Sequence, residues 1–438
     1  MNLEEKIINT NAKIAIVGLG YVGLPLAYAF LEKNFQVIGI DLDRDKTIKL
    51  SKGINTLKHL KLKNLKKHIK EKKFKIENDF KKIKEVDVIV LCVPTPLNKF
   101  REPDLSYIIN SAREISKFLK KNQLVILESS TFPGTTDENL SNELEKSGLK
   151  ANIDFNLSYS PEREDPGNKE FNTTSIPKII GADTLKSKKL SKLLYERIIN
   201  KVIVVSSARV AEAAKLTENI FRSVNIALVN ELKIIYDPMG IDVWEVIEAA
   251  STKPFGYMPF YPGPGLGGHC IPIDPFYLTY KAKEFDISTK FIELAGEINT
   301  SMPIYVVEKV INGLSEFLKK SINSSKILVI GLAYKSDIDD MRESPAVALI
   351  NLLIKKRANV SYHDDLIKNI PNHKKYGKLS GMKSKKLTKK FILSQDAILI
   401  VTKHSSLDLN LIARNSKLII DTRNAMKNIK TKAKIIKA

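Results

Sequence analysis

The sequence predicts an α/β protein made of two doubly wound, parallel-sheet domains joined by a long central helix. The first half of the chain alternates short β-branched segments with longer amphipathic ones, as parallel strands and their crossover helices do. A nearly uninterrupted helical pattern then covers residues 208–236 and stops at Asp237, Pro238 and Gly240. Strand-like segments return from residue 326 onward. These three observations define the fold class.

Nine segments have the length and β-branched character of buried strands and are followed by turn residues. They lie at 13–19, 35–42, 87–94, 123–130, 202–207, 326–332, 359–364, 396–402 and 417–422. We therefore expect an N-terminal domain over 1–206, a central helical region over 207–312 and a smaller α/β domain over 313–438. The long helix of the central region is of the kind that bridges domains or packs against another subunit.

The length and composition suit a folded protein with several cores. At 438 residues with 43% hydrophobic residues, the chain can form two or three domains and is not disordered. The net charge of +22 would suit a polyanionic partner such as nucleic acid or an acidic membrane. The lysines, however, are spread over 58–84, 365–390 and 427–437, with few aromatic residues and no recognisable nucleic-acid module. We interpret them as solvated surfaces and expect neither a nucleic-acid nor a membrane partner.

The two cysteines, Cys92 and Cys270, cannot form a disulfide framework and belong to no metal-ligand pattern. We therefore expect a reducing compartment, the cytoplasm, and no bound metal. The N-terminal residues include acidic side chains and lack the apolar segment of a secretory signal. Residues 14–31 are uncharged over a length that could span a membrane, but the glycines and the proline among them favour a strand, a turn and the start of a helix.

A GxGxxG pattern follows the first predicted strand, at Gly18, Gly20 and Gly23, with Tyr21 and Val22 between the last two. It follows a strand and opens a helix, which is the context that dinucleotide binding requires. The first two glycines allow a tight turn and a close approach to pyrophosphate, and the third lets helix and strand pack closely. A glycine turn without function is the alternative. The context favours a Rossmann-like, dinucleotide-binding domain.

The second predicted strand ends at Asp41, where a carboxylate would accept hydrogen bonds from the adenosine ribose hydroxyls. It would repel a 2′-phosphate, so NAD is favoured over NADP, although Arg44 and Lys46 lie close enough to weaken that preference. Thr95 ends another strand at the sheet edge where ligands bind and is a candidate cofactor contact. Cys92 is interpreted as a small core residue rather than a reactive one.

Residues 253–276 form a proline- and glycine-rich loop that lacks charge for most of its length, as loops that line a pocket or an interface do. Cys270 lies in this loop beside His269 and close to Asp274. The loop glycines allow another group to approach the backbone closely. A buried, apolar cysteine is the alternative, but these neighbours favour a reactive role.

Lys215 and Asn219 are four residues apart on the long helix and share one face, with Arg222 beside them. A lysine that faces inward on an otherwise apolar helix needs a functional reason, whereas a surface lysine does not. The pattern alone leaves both possibilities open for Lys215.

Seven segments together resemble the UDP-glucose/GDP-mannose dehydrogenase family, in family order and over nearly the whole chain. They are GLGYVGLPLA, VPTP, ESSTFPGTT, SPER, AEAAKLTENIFRSVN, PGPGLGGHCIPIDP and GLAYKSDIDDMRESPA. The cysteine loop and the GLAYK segment are far more specific than the glycine motif. The helix and the HCIPIDP loop are most similar to the branch that acts on UDP-N-acetylhexosamines, especially the UDP-N-acetylglucosamine 6-dehydrogenases.

The resemblance implies an N-terminal NAD-binding domain, a central helix that forms a dimer core and a C-terminal UDP-binding domain. It also implies an oxidoreductase that converts the C6 alcohol of a UDP-sugar to a carboxylate in a four-electron, NAD-dependent reaction, for surface polysaccharide precursors. An aldehyde has no carbinol C–H to give up in the second oxidation, so a nucleophile must add first. By resemblance Cys270 adds as that nucleophile, giving a thiohemiacetal and then a thioester that water hydrolyses.

Further catalytic roles follow from the resemblance. Each tetrahedral step places negative charge on the C6 oxygen, which Lys215 and Asn219 would stabilise. Asp274 would take part in proton transfer with an ordered water, and Thr131 would help to hold that water. Glu162 of the SPER segment matches the family glutamate implicated in thioester hydrolysis.

The chain departs from the UDP-glucose branch of the family at one position. That branch has a second glutamate four residues after the position of Glu162, where this chain has Pro166. The departure weakens the analogy for the hydrolytic step and disfavours glucose as the sugar.

The remaining positions concern binding. Lys335 matches a family residue on the substrate side and Arg342 one on the cofactor side, and cations suit the pyrophosphates there. Surface salt bridges are the alternative. Thr131 is also a predicted cofactor contact, and His269 is expected to pair with a backbone group rather than to act as a base. The predicted substrate pocket is lined by Glu162, Lys215, Asn219, Arg222, Phe255, Tyr257, Gly263, Gly265, Gly267, Gly268 and Lys335.

Three questions stay open. The sugar could be N-acetylgalactosamine, N-acetylmannosamine or glucose instead of N-acetylglucosamine. The chain could be a two-electron alcohol dehydrogenase in which Cys270 is incidental, or a polyanion-binding protein on a dinucleotide fold. A homodimer is the smallest assembly that the long helix predicts, and higher homo-oligomers stay possible.

Overall fold

The structure, a computed structural model, describes residues 1–57, 62–163, 174–268 and 271–438. It divides into two compact units. The first unit comprises Met1–Glu218 and Phe276–Ser288, and the second comprises Asn219–Pro275 and Thr289–Ala438. The division of the sequence into three regions stays a prediction.

The described part of the first unit contains eight strands and seven complete helices. The strands are β1 Lys13–Val17, β2 Gln36–Ile40, β3 Phe74–Glu77, β4 Val88–Leu91, β5 Leu124–Leu127, β6 Asn156–Tyr159, β7 Lys178–Gly181 and β8 Val202–Val205. The helices are α1 Leu3–Ile8, α2 Gly23–Glu32, α3 Arg44–Ser51, α4 Leu65–Lys70, α5 Ser106–Ser116, α6 Ser141–Leu144 and α7 Leu185–Glu196. A π-helical turn, Thr135–Leu140, leads into α6.

The strands of the first unit form one sheet in the order β3-β2-β1-β4-β5-β6-β7-β8. All neighbours are parallel except β6 and β7, which are antiparallel. Ile14 and Ile16 of β1 pack into a core with α2 and α7, whereas Ala15 and Val17 pack into a core with α5 on the other face. Successive side chains of a strand point to opposite faces, so this alternation shows helices covering both sides of the sheet.

The remaining elements lie wholly or partly in the second unit. The helices are α8 Ala208–Tyr236, α9 Val243–Ala250, α10 Asp274–Ala282, α11 Lys290–Leu318, α12 Pro345–Lys355, α13 Lys389–Leu393 and α14 Leu409–Asn415. The strands are β9 Lys326–Ile330, β10 Asn359–His363, β11 Ala397–Ile400, β12 Leu418–Asp421 and β13 Lys434–Lys437. Two of the helices, α8 and α10, run from one unit into the other.

The second sheet has the order β10-β9-β11-β12-β13, and its neighbours are parallel. Ile327 and Val329 pack into a core with α11 and α12, while Leu328 and Ile330 pack with α13 and α14 on the other face. The predicted fold class is therefore confirmed: two doubly wound, Rossmann-like parts and a long central helix. The nine predicted strands and the helix over 208–236 are present, whereas β3, β6, β7, β13 and α11 were not predicted.

Within the described residues, none of the helices combines the length and the apolar character needed to cross a bilayer.

Candidate active site

The glycine motif forms the turn between β1 and α2. Gly18 has φ +92°, and a Cβ atom there would lie 2.5 Å from the carbonyl oxygen of Cys92. A Cβ atom at Gly23 would lie 1.9 Å from the carbonyl oxygen of Gly18. Both positions therefore require glycine for the chain's own packing. At Gly20, in contrast, no described protein atom lies within 4 Å of a Cβ position, so the backbone is open to close approach by a ligand.

The first turn of α2 is suited to an anion. Its backbone N–H groups receive no side-chain cap, and the turn carries no acidic residue. The positive end of the helix dipole at such an N-terminus favours a phosphate group. Tyr21 and Val22, between the glycines, are partly buried against the core of the first unit.

Asp41 lies directly after β2 and is fixed against the glycine turn. One oxygen of its carboxylate accepts hydrogen bonds from the Leu19 N–H at 2.9 Å and from the Lys46 ammonium at 2.8 Å. The residue predicted to bind the ribose is therefore held beside the residues predicted to bind pyrophosphate. Lys46 offsets the charge of this carboxylate.

Thr95 and Thr131 follow β4 and β5 at the carboxyl edge of the sheet. The carbonyl oxygen of Thr95 accepts a hydrogen bond from the Tyr277 hydroxyl at 2.7 Å. Thr131 is completely buried and its hydroxyl donates to the Thr135 hydroxyl at 2.5 Å. Cys92 is also buried, and burial raises the pKa of its thiol well above the usual range, so this cysteine is suited to the core.

The segment that carries Thr131 is anchored by Glu212 of α8. The Glu212 carboxylate accepts hydrogen bonds from the backbone N–H of Gly134 at 2.7 Å, from that of Thr136 at 2.9 Å and from the Thr136 hydroxyl at 2.7 Å. Burial raises the pKa of Glu212 to about 7. Sequence reasoning missed this residue, because its partners lie more than 70 positions away.

Glu162 lies just past the end of β6 and has charged neighbours. The Arg163 N–H donates to one of its oxygens at 2.6 Å, and the Lys178 ammonium lies 3.5 Å from the other. Lys178 also pairs with the buried Glu128 at 2.9 Å. Neither Lys178 nor Glu128 was singled out in the sequence.

Lys215 faces inward on α8. Its exposed fraction is 5%, and within the described residues it has no ion pair or hydrogen bond. The surface alternative for this lysine is therefore wrong. A buried ammonium without a partner is costly, and such groups are found mainly where a ligand or a reaction needs the charge.

In the second unit, Asn219, Arg222 and Asp274 form a hydrogen-bonded chain. The Asn219 amide donates to the Asp274 carboxylate at 2.5 Å, and its carbonyl oxygen accepts from the Arg222 guanidinium. Asn219 is completely buried and Asp274 is 1% exposed. The two bonds fix the amide of Asn219 in one orientation, so three residues predicted from the sequence are brought together.

The glycine-rich loop is held by polar side chains of its own unit. The Gly263 N–H donates to Asn230 at 2.9 Å, and Asn230 donates to Asn299 at 2.9 Å. A Cβ atom at Gly263 would lie 2.5 Å from Nη1 of Arg423, which was not predicted from the sequence. The loop backbone and this guanidinium therefore meet closely.

The other end of the loop approaches the segment of the second unit that follows β9. A Cβ atom at Gly267 or Gly268 would lie within 3 Å of the Tyr334 side chain, and the Gly268 N–H donates to the Arg342 carbonyl oxygen at 3.1 Å. Arg342 forms an ion pair with Asp340 at 2.7 Å.

Four other positions predicted to bind substrate differ in exposure. Gly265 has φ +125°, and Lys335 is partly buried. Phe255 is 71% exposed and Tyr257 39% exposed. The pocket-lining role predicted for these residues stays a prediction.

Three positions named in the sequence, Cys270, His269 and Pro166, lie outside the described residues. Among the residues that are described, no group of three His, Cys, Asp or Glu side chains could hold a metal ion.

The chain is similar to known proteins over nearly its whole length. It matches three domain profiles of the UDP-glucose/GDP-mannose dehydrogenase family: the NAD binding domain over residues 12–199, the central domain over 209–301 and the UDP binding domain over 328–428. A UDP-N-acetyl-D-glucosamine 6-dehydrogenase of Pseudomonas aeruginosa is 38% identical over 356 residues, which are 80% of this chain and 82% of the relative.

Two further similarities involve Pyrococcus horikoshii. A UDP-N-acetyl-D-mannosamine dehydrogenase of this organism is 33% identical over 424 residues, 95% of this chain and 96% of the relative. A solved structure of a UDP-D-ManNAc dehydrogenase from P. horikoshii superposes with a TM-score of 0.85 at 31% identity, covering 97% of this chain and 99% of that one.

Proposed function

This chain belongs to the UDP-glucose/GDP-mannose dehydrogenase family, and we propose that it oxidises the C6 alcohol of UDP-N-acetylglucosamine to the carboxylate through a covalent intermediate on Cys270. Its NAD-binding and UDP-binding domains make it an NAD-dependent nucleotide-sugar dehydrogenase. The identity of the sugar and the covalent step go beyond the family assignment and are proposals.

The hydrogen bonds that link Arg222, Asn219 and Asp274 carry the proposal. Asp274 and Arg222 together fix which end of the Asn219 amide donates. The second N–H of that amide would donate to the C6 oxygen when negative charge develops on it, and the Lys215 ammonium would stabilise the same charge. Preorganised donors of this kind need not reorient during the reaction. Their burial matters because a charge is stabilised more strongly where water is excluded.

The residues of the first unit fit NAD. The open backbone at Gly20 and the N-terminus of α2 would receive the pyrophosphate, and Asp41 the adenosine ribose. When bound, NAD accepts a hydride from C6 in each of the two oxidations. Lys46, Thr95, Thr131 and Arg342 are proposed as further contacts to it.

The proposed covalent step uses the Cys270 thiol. Its sulfur adds to the C6 aldehyde, which forms a C–S bond and a thiohemiacetal, and the second oxidation leaves a thioester. Water then cleaves the thioester, releasing the carboxylate and the free thiol. Thr131 is proposed to hold this water, and Asp274 and Glu162 to accept its proton.

N-acetylglucosamine is proposed as the sugar because the P. aeruginosa relative acts on it at 38% identity, above the 33–36% of the UDP-N-acetyl-D-mannosamine dehydrogenases. The product would be a precursor for surface polysaccharide, made in the cytoplasm.

The test is NADH production by the purified chain with UDP-N-acetylglucosamine, UDP-N-acetylmannosamine, UDP-N-acetylgalactosamine, UDP-glucose and GDP-mannose. We expect the highest kcat/KM with the first and two NADH per molecule of acid. A higher value with another sugar would overturn the substrate, and one NADH per product would overturn the four-electron reaction. Cys270→Ala should abolish acid formation.

A homodimer is proposed from the exposed face of α8. Phe221, Leu228 and Ile235 recur every seven residues in the second unit and are 47%, 50% and 43% exposed. A row of large apolar side chains at this spacing is typical of a helix that packs against another subunit.

A further inference from the structure

We propose that Lys178 is a positioning residue for Glu162, and that together with Glu128 and Tyr195 it holds the Glu162 carboxylate in place and ionised at the edge of the first sheet. This inference rests on the proposed function, in which Glu162 accepts a proton during thioester hydrolysis.

The sheet topology explains why these residues meet. Glu128 and Glu162 follow the parallel neighbours β5 and β6, so both lie at the carboxyl edge of the sheet, where ligands of such folds bind. Strand β7 is antiparallel to β6, with Tyr159 opposite Gly181. Three residues further along, this register places Lys178, the first residue of β7, opposite Glu162.

The contacts form a chain that leads from the interior to the edge. The Tyr195 hydroxyl donates to one oxygen of Glu128, and the other oxygen lies 2.9 Å from the Lys178 ammonium. The same ammonium lies 3.5 Å from Glu162. Side-chain exposure rises along the carboxylates, from 0% at Glu128 to 16% at Glu162, with Lys178 at 6% between them.

The charges explain what Lys178 does. Burial by itself lowers the pKa of Lys178, but the carboxylates of Glu128 and Glu162 outweigh it and raise the pKa above its ordinary range, so the ammonium stays charged. A permanent cation next to Glu162 favours its ionised form. An ionised carboxylate can accept a proton from water, whereas a neutral one cannot.

Other groups face this cluster and do not replace Lys178. The Cys92 thiol is neutral because its pKa is raised by burial. Arg163 approaches Glu162 through its backbone N–H, while its guanidinium binds Glu218 at 2.7 Å and the Pro177 carbonyl oxygen at 2.6 Å. The charge of Arg163 is thus directed to other partners.

The test uses the full-length chain with NAD and UDP-N-acetylglucosamine. Lys178→Met alone leaves Glu128 buried without a cation and could fail to fold, so the double variant Lys178→Met/Glu128→Gln is made as well, which removes both charges and keeps an acceptor for Tyr195. Lys178→Arg is the conservative rescue. Lys189→Met, which removes a surface lysine paired with Glu4, is the matched control.

We expect the double variant to lose about 100-fold in kcat while still forming two NADH per site in the first turnover, so that mass spectrometry detects the acylated chain. In the double variant the acid limb of the pH profile of kcat should move to higher pH. In Lys178→Arg, which keeps the positive charge, the acid limb should lie where it does in the unaltered chain. The positioning role would be overturned if the rate of NADH formation in the first turnover fell as much as kcat and the acid limb of the pH profile did not move. The proposed function itself fails separately, if the unaltered chain makes one NADH per product.

Discussion

In its proposed role, Lys215 would favour the reaction at the expense of the stability of the fold. The residue is 5% exposed and its ammonium has no ion-pair partner among the described residues, so we expect its burial to cost stability without an offsetting contact. The proposed reaction uses this charge beside the C6 oxygen. Activity and stability should therefore respond in opposite directions when the charge is removed.

We predict that Lys215→Met lowers kcat roughly 100-fold or more and raises Tm by about 2 °C or more. Methionine has a similar length and fills the space without a charge. NADH formation and calorimetry measure the two effects, with Lys189→Met as the control. A fall in Tm would contradict the idea that the ammonium is held at a cost.

Glu212 gives a prediction about pH. Burial raises its folded pKa to about 7, whereas the unfolded value is near 4.3, so folding favours the protonated form. The stability that this adds, roughly 4 kcal/mol, is fully present below about pH 4 and is lost as pH rises through 7. The free energy of unfolding, measured by denaturant from pH 4 to 8, should fall more steeply for the unaltered chain than for Glu212→Gln. If the free energy of unfolding had the same pH dependence in both proteins, the raised pKa of Glu212 would be contradicted.

At this scale, sequence patterns located residues whose partners are near in the chain. Gly18 and Asp41 follow the two successive strands β1 and β2, and Lys215 and Asn219 lie on one helix, so spacing alone placed them. Lys178 depends on Glu128, 50 positions away, and Arg423 meets a loop far earlier in the sequence. Such pairs are created by strand order, which spacing does not contain.

Among the elements, α8 carries the clearest expectation. Its row of Phe221, Leu228 and Ile235 is apolar, exposed and regularly spaced. Such a row is unfavourable in water unless another surface covers it. We therefore expect the assembly to depend on this helix.

We predict that Leu228→Arg converts a homodimer to a monomer, because a buried guanidinium without a partner opposes association. Light scattering after gel filtration should give the monomer mass of 49.3 kDa for the variant and twice that value for the unaltered chain. Ile153→Arg is the control, since Ile153 is 81% exposed in the first unit, away from this helix in sequence. A monomer for the unaltered chain would remove the dimer proposal.

The elements also show where periodicity is informative. The helix α8 was predicted with its observed bounds because its pattern is continuous and ends in turn residues. Strand β6 has polar Asn156 and Ser158 at buried positions, and β7 begins with a buried lysine, so neither resembled an apolar strand. The helix α11 contains Pro303, a residue that normally interrupts a helical pattern.

For the whole molecule, the two units repeat one plan without a recognisable sequence repeat. In each, an aspartate after the second strand of the sheet binds the turn after the first. Asp41 accepts from Leu19, and Asp364 accepts from Leu332 at 2.7 Å and Ala333 at 3.0 Å. The sequence predicted both sheets because buried parallel strands are nearly continuous apolar segments.

We predict that Asp364→Asn destabilises the second unit by about 2–4 kcal/mol, since an amide N–H would face two backbone donors. Burial alone would raise the pKa of Asp364, but hydrogen bonds from His404 and backbone N–H groups lower it to about 2. The stability that the ionised Asp364 contributes, roughly 3 kcal/mol, is present above about pH 4 and is lost as pH falls through 2. Fluorescence of the single tryptophan, Trp244, follows this unit. The difference in free energy of unfolding between the unaltered chain and Asp364→Asn should become smaller in acid. A difference that does not change with pH would contradict the lowered pKa of Asp364.

The reversal of direction between β6 and β7 has a consequence for reading related sequences. In a purely parallel sheet, the residues that directly follow each strand lie at the edge where ligands bind, and functional residues are usually sought among them. Here the chain returns to that side with the opening residue of a strand, so a position that looks like ordinary framework can influence chemistry. Variation at the first residue of β7 would then alter how a dehydrogenase of this kind completes its reaction, while the familiar motifs stay the same.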